Sequence, residues 1–174
     1  MLEIMSKKLI LISSLVLMCI TFTIVMFFAN PQIDGADGLG VIELQLSFNK
    51  EAGIGIIQNW GESGIANFRQ WIFTDYIYAF AYSVFFASLL SMLILKKGKG
   101  SSLNYTWVVY LAFVAGILDW MENTMELIFL NNPIDFSSSL FFFHSIVAVL
   151  KWSAVPIAVA YIVILLTKTN ESRA

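Results

Sequence analysis

Charged residues are scarce in this chain, and their scarcity excludes most classes of protein. They make up 13% of the 174 residues, whereas an average soluble domain carries about 25%. Too few charges remain to hydrate the surface of a soluble globular protein, and a hydrophobic content of 59% excludes a disordered chain. The net charge of −2 gives no reason to expect a nucleic-acid partner.

Cysteine and histidine each occur once, as Cys19 and His144. The single cysteine excludes an internal disulfide and a redox pair of two cysteines. The single histidine excludes a metal site built from several histidines in one chain. We therefore expect neither a metal site nor another cofactor.

Four apolar segments are each long enough to cross a bilayer, which takes about 20 helical residues. They cover residues 9–29, 68–95, 105–130 and 139–167. The length of the chain suits one domain. We expect residues 1–174 to form a single membrane domain, an all-α integral membrane protein built as a four-transmembrane-helix bundle in contact with the lipid bilayer.

The first apolar segment has a second interpretation, as a cleavable signal peptide. Its apolar run is longer than the 7 to 15 residues or so that are usual in a signal peptide, and no small-x-small cleavage pattern precedes Asn30 and Pro31. Both features favour a retained first span.

Lysine and arginine are distributed unequally between the two ends of these segments. Seven of the ten basic residues flank one end: Lys7, Lys8, Lys96, Lys97, Lys99, Lys168 and Arg173. The opposite end has Lys50 and Arg69. The positive-inside rule therefore predicts a multi-pass protein of the cell membrane with cytoplasmic N- and C-termini and a cytoplasmic loop at residues 96–104.

The segment 30–67 is expected to form an outer lid between the first two spans. It begins with a turn-rich stretch at residues 31–40. The alternation in 41–48 is typical of a short strand. Asn49 then resembles an N-cap for a helix at 50–60, which ends at the glycines near residue 61. The lid either moves or is a static structural cap.

One face of the lid helix is apolar, with Ile54, Ile57 and Trp60 at a spacing of three residues. Such a stripe suits either the surface of the bilayer or the end of the bundle.

The third segment has four polar residues on one helical face about 100° wide. They are Asp119, Glu122, Asn123 and Glu126. Toward the cytoplasm the same face continues with small residues that let helices approach closely, namely Ala112, Ala115 and Gly116. Charges inside a membrane are costly, so this face should point into the bundle and find partners there.

The fourth segment supplies basic partners at matching depth. His144 and Lys151 are seven residues apart and so lie on nearly one line of the helix. We expect Asp119 to pair with Lys151, and Glu122 or Glu126 to pair with His144.

The second segment completes the expected site with Asp75 and Tyr82. The first segment offers only Ser14 and Thr21, so it is expected to be mostly scaffold. The resulting polar pocket would open outward between the second, third and fourth spans. Its acids outnumber its basic groups, so either one acid holds a proton or a cation binds.

We expect the function of the protein to depend on eight polar residues of this pocket: Asp75, Tyr82, Asp119, Glu122, Asn123, Glu126, His144 and Lys151. The leading hypothesis is that they bind or move a small or lipid-like ligand, with a proton or cation involved. A membrane enzyme with a carboxylate and histidine acid–base pair is one alternative. An accessory subunit with a membrane-protein partner or a homo-oligomer is another, and the Asp119–Lys151 pair could simply set helix register.

Overall fold

The computed structural model describes residues 1–29, 40–97 and 99–171. All regular elements in these ranges are helices, which confirms the all-α class and leaves no strand among the described residues. In chain order they are α1 (Leu2–Met5), α2 (Lys8–Thr23) with a π-helical continuation (Ile24–Ala29), α3 (Gly40–Leu46), α4 (Lys50–Lys96), α5 (Lys99–Asn131) and α6 (Ser138–Glu171). The expected turn-rich stretch lies outside these residues, except for its last residue.

Three of the described helical segments are long and apolar enough to cross a membrane. They are Lys8–Phe27, Lys50–Lys96 and Ser138–Thr167. Helix α5 contains the third expected span but also three acids, and it is not one of these three segments.

Helix α4 lies at the centre of the fold, because it packs against α1, α2, α3, α5 and α6. Its two halves join different apolar clusters. One cluster includes Ile72, Phe129 and Phe141. The other includes Leu90, Val109 and Leu165. Along α4 and α5, the acids Asp75 and Asp119 fall between these clusters, so the polar residues form a layer inside the bundle.

The burial pattern of α2 is the reverse of that of a helix in a soluble protein. Its buried residues are Ser14 and Thr21, whose hydroxyl groups donate to carbonyls one turn earlier at 2.7 and 2.9 Å. Its large apolar side chains point outward, with Leu9 80% and Ile12 58% exposed. Small polar residues allow close packing between helices, and the outward face suits apolar surroundings.

The expected strand in the lid is wrong, because residues 40–46 form helix α3. Val41, Leu44 and Gln45 are buried, and this spacing of three and four residues is helical. The alternation of Leu44, Leu46 and Phe48 fits a strand equally well over so short a run. A lone strand would leave its backbone groups unpaired, whereas a helix satisfies them internally.

The predicted helix after Asn49 is present as the first part of α4. The Asn49 side chain accepts a hydrogen bond from the Ala52 amide at 2.9 Å, as expected for an N-cap. The chain bends at Gly61, which has φ 63° and ψ −175°. Glycine tolerates this positive φ because it has no Cβ. The helix then continues to Lys96 as the long core of the bundle.

The apolar stripe of the lid helix packs into the end of the bundle. Ile57 and Trp60 are buried, and Ile54 is partly buried against the same cluster as Phe68 and Phe129. Of the two expected locations for the stripe, the end of the bundle is therefore the correct one.

Helix α5 begins at Lys99, inside the stretch 96–104 expected to be a loop. Residues 99–104 of the expected loop are therefore helical. The apolar run that defined the span marks where a membrane could begin. A helix can continue past that point because its backbone hydrogen bonds are internal.

The small residues of α5 permit close contact with α4, as predicted. A Cβ on Gly116 would collide with Ser83 Oγ, and it would lie 3.1 Å from the Ala79 carbonyl oxygen. Ser83 Oγ donates a hydrogen bond to that same carbonyl, so the serine is held in place. Gly116 is therefore required for the spacing of the two central helices.

We expect Gly116→Ala to destabilise the protein by about 1–3 kcal/mol, because the added methyl group meets a held side chain and backbone. The measurement is denaturant unfolding of the purified protein in detergent. Gly55→Ala is the matched control, since a Cβ there has no neighbour within 4 Å. The control should be neutral or more stable by up to about 1 kcal/mol. Equal stability of both variants would contradict the close-contact interpretation.

Candidate functional site

The eight residues expected to form the site are all buried in the structure. Helix α4 supplies two of them, α5 four and α6 two. Their exposed fractions are 6% for Asp75, 4% for Tyr82, 4% for Asp119, 7% for Lys151, and 0% for Glu122, Asn123, Glu126 and His144. The acidic face of α5 therefore points into the bundle, as its cost in apolar surroundings requires.

Lys151 joins two acids of α5 to α6. Its Nζ lies 3.1 Å from Asp119 Oδ1 and 2.8 Å from Glu122 Oε2. The Tyr82 hydroxyl donates to Asp119 Oδ2 at 3.0 Å, which adds α4 to the network. The predicted Asp119–Lys151 pair is present, and Glu122 is paired with the same lysine. Charge-assisted hydrogen bonds of this kind offset part of the cost of burial.

Glu126 and His144 form a second, looser contact. His144 Nε2 lies 3.4 Å from Glu126 Oε1, which is long for a hydrogen bond. Gln45 Nε2 of the lid donates to the same oxygen, also at 3.4 Å. The predicted approach of His144 to an acid of α5 is present with Glu126.

Asn123 connects the acidic face of α5 to α4. Its amide nitrogen donates to Asp75 Oδ2 at 3.0 Å. Asp75 is thus held by a neutral donor, whereas Asp119 and Glu122 share a cation.

A cavity of about 280 Å³ lies beside this network. Helices α2, α3, α4, α5 and α6 all contribute to its wall. The polar lining residues are Gln45, Asp75, Tyr78, Tyr82, Asp119 and Lys151. The apolar ones are Phe22, Val25, Met26, Val41, Ile42, Trp71, Phe86, Trp152 and Val155. The cavity therefore combines a large apolar surface with a small group of acidic and basic side chains.

The structure divides the expected site into two parts. Four of its residues line the cavity, namely Asp75, Tyr82, Asp119 and Lys151. The other four are not among the lining residues: Glu122, Asn123, Glu126 and His144. They contact the first group through the Lys151–Glu122 and Asn123–Asp75 interactions.

The expected boundary of the pocket is wrong, because α2 and α3 also form its wall. Phe22, Val25 and Met26 come from the first apolar segment, which was expected to be mostly scaffold. Hydropathy along one helix shows that it is apolar but not which apolar side chains face a gap. That depends on the angle at which α2 packs on α4.

Gln45 is the cavity residue that the strand interpretation misplaced. It lines the cavity, donates to Glu126, and accepts a hydrogen bond from Trp152 Nε1 at 3.1 Å. A helical period in residues 40–46 would have put Gln45 on the same face as Val41 and Leu44, which was the available signal.

Comparison with known proteins finds no matching protein family, no similar curated protein and no similar solved structure. The residues and their geometry are therefore the basis for a functional proposal. The arrangement can hold a polar group at the charged end of the cavity and an apolar group along its walls.

We expect Lys151→Met to destabilise the protein by about 3–5 kcal/mol, because it leaves two buried acids without their cation. The same substitution at Lys50 is the matched control. Lys50 pairs with Asp135 at 2.9 Å, but the Asp135 side chain is 78% exposed. Loss of this ion pair should therefore cost about 0–1 kcal/mol. Denaturant unfolding in detergent measures both. A loss at Lys151 no larger than at Lys50 would contradict the central role of this cation.

Proposed function

We propose that this chain is a four-span protein of the cell membrane that binds a small or lipid-like ligand in the cavity, with a proton or cation taking part. The observation that carries the proposal is the amphipathic cavity. Its charged end contains Asp75, Asp119 and Lys151, and aromatic and aliphatic side chains line the rest.

The surface of α5 supports a fourth span. Its three acids in the expected span are all buried, whereas its outward residues, Thr124 apart, are large and apolar or aromatic. These exposed residues include Trp107, Tyr110, Val114, Ile117, Trp120 and Ile128. A helix with charges turned inward and apolar groups turned outward suits lipid on its outer face.

The placement of basic residues supports cytoplasmic termini. Leu2 and Met5 of α1 pack on the cluster that contains Ile94, so the N-terminal Lys7 and Lys8 lie near the end of α4. Lys50 pairs with Asp135 in the connection between α5 and α6, at the opposite end of the bundle. The more basic end is the cytoplasmic one by the positive-inside rule.

We expect cysteine labelling to distinguish the two ends of the bundle. In a Cys19→Ser background, a membrane-impermeant maleimide should label Glu62→Cys in intact cells. It should label Lys96→Cys only after the membrane is permeabilised. Both native residues are exposed, so access within the protein is equal. Labelling of Lys96→Cys alone in intact cells would reverse the topology, and labelling of both would exclude this arrangement.

The chemistry of the cavity favours an amphiphile with a basic or hydrogen-bond-donating polar group. Asp75 and Asp119 outnumber Lys151 at its polar end, and Tyr78 and Tyr82 add aromatic faces that attract cations. The volume of about 280 Å³ lies just below the range of about 300 to 1,000 Å³ that is usual for ligand sites. A small molecule or a short part of a lipid would fit.

We expect Asp75→Asn and Asp119→Asn to reduce ligand binding by about tenfold or more, because each removes a charge from the polar end (tenfold is about 1.4 kcal/mol). Purified protein is incubated with a total lipid extract of the expression host and washed. Bound compounds are then extracted and quantified per mole of protein by mass spectrometry. Asp135→Asn makes the same change at an exposed site and should behave as wild type.

Equal recovery from all variants, or no compound retained by the wild type, would contradict the proposal. A compound recovered in altered form would instead favour the membrane-enzyme hypothesis. A protein retained in constant ratio through gentle purification would favour the accessory-subunit hypothesis.

A further inference from the structure

We propose that Glu122, Glu126 and His144 form a binding site for one divalent first-row transition-metal cation. A carboxylate oxygen of each glutamate and a ring nitrogen of the histidine lie within 4.8 Å of one another. None of the three lines the ligand cavity, so this site is separate from the proposed ligand site.

Two helices supply the three ligands. Glu122 and Glu126 are four residues apart on α5, a spacing that places both carboxylates on one helical face. His144 approaches from α6, with its ring 5.3 Å from that of Phe129 and 5.6 Å from that of Phe141, measured between centroids. Phe129 belongs to α5, so its contact places the imidazole against that helix.

The same three side chains have polar atoms without partners. Glu122 Oε1, Glu126 Oε2 and His144 Nδ1 are buried and form no hydrogen bond with any described residue. Each side chain has an exposed fraction of 0%, so bulk water does not compensate. Buried polar groups in folded proteins are nearly always satisfied, and a metal ion bound by these side chains would supply a partner for the atoms that face it.

The negative charge of the buried cluster also favours a bound cation. Asp75, Asp119, Glu122 and Glu126 are four buried acids, and Lys151 is the lysine that pairs with two of them. Among the described residues, Glu126 has no lysine or arginine partner. A divalent cation between the two glutamates would offset this excess without a further basic side chain.

Neighbouring residues already orient the two glutamates. Lys151 holds Glu122 Oε2 at 2.8 Å, and Gln45 donates to Glu126 Oε1 at 3.4 Å. Metal ligands in proteins are usually held by polar contacts of this kind from outside the site. Gln45 also lines the cavity, so the proposed metal lies directly behind the cavity wall.

The donor set selects the class of metal. Carboxylate oxygens with one imidazole nitrogen suit Mn²⁺, Fe²⁺ or Zn²⁺ better than Mg²⁺ or Ca²⁺, which prefer oxygen alone. With bonds of about 2.0–2.2 Å, two ligand atoms lie about 3.4 Å apart in the tetrahedral geometry usual for zinc, and about 4.4 Å apart only when they are on opposite sides of the metal. The three side chains, whose ligand atoms lie within 4.8 Å of one another, therefore need to approach by up to about an ångström when a metal binds. The sequence-based expectation of no metal site relied on the presence of a single histidine. In the proposed site, the carboxylates of Glu122 and Glu126 supply the other two ligands.

Zinc alone is a suitable probe. The full-length protein in detergent is stripped with a chelator, dialysed against Zn²⁺ and analysed for metal content and thermal unfolding. We expect one zinc per chain and a higher unfolding temperature. Glu126→Gln and His144→Gln should each weaken zinc binding by more than about tenfold. Glu62→Gln, the same change at an exposed glutamate, should bind as wild type.

Substoichiometric zinc in the wild type, or unchanged binding by both site variants, would overturn the metal site. If the variants fail to fold, X-ray absorption of the zinc-loaded wild type decides. One imidazole among oxygen ligands supports the site, and a sulfur ligand from Cys19 overturns it. Zinc displaced by equimolar Mg²⁺ would also contradict the proposed donor set.

Zinc binding and recovery of a lipid-extract compound are separate measurements on the same wild-type protein. Zinc binding without a recovered compound would support the metal site and contradict the ligand proposal. The reverse result would support the ligand proposal and contradict the metal site.

Discussion

The interaction of Lys151 with Asp119 and Glu122 is the constraint on which the polar interior depends. An ammonium or carboxylate left unpaired in an apolar interior is strongly destabilising, so α5 and α6 are stable only in the register that brings these groups together. Distances of 3.1 and 2.8 Å show that both contacts are made at once. That register also places Asp119 beside Tyr82 of α4, which defines the charged end of the cavity.

The same register produces two polar environments from one helical face. Asp119 lies toward the cavity, where Lys151, Tyr82 and the aromatic wall could receive a ligand. Glu126 does not line the cavity and lies toward His144 and toward Gln45, a residue of the cavity wall. Through Gln45, the lid thus contacts the buried acids and also forms part of the cavity wall. The proposed ligand and the proposed metal ion would bind next to each other at different residues.

Much of this network could be predicted because it depends on helical periodicity within single segments. Asn123 and Glu122 lie at opposite edges of the acidic face of α5, and they reach α4 and α6 respectively. The N-cap at Asn49 and the small residue Gly116 were likewise readable, since each depends on nearby sequence. The lid strand was wrong because a run of eight residues fits two periods, and the joint burial of Val41, Leu44 and Gln45 favours the helical one.

The sequence by itself determined the all-helical class, the apolar segments and the inward direction of the acids on α5. These follow from the cost of exposing charge to apolar surroundings and from 3.6 residues per turn. Only the tertiary structure decided that α2 and α3 close the cavity, that Lys151 serves two acids, and that Glu126 meets His144. Such contacts join residues far apart in the chain, and they depend on packing distances and crossing angles that no local pattern contains.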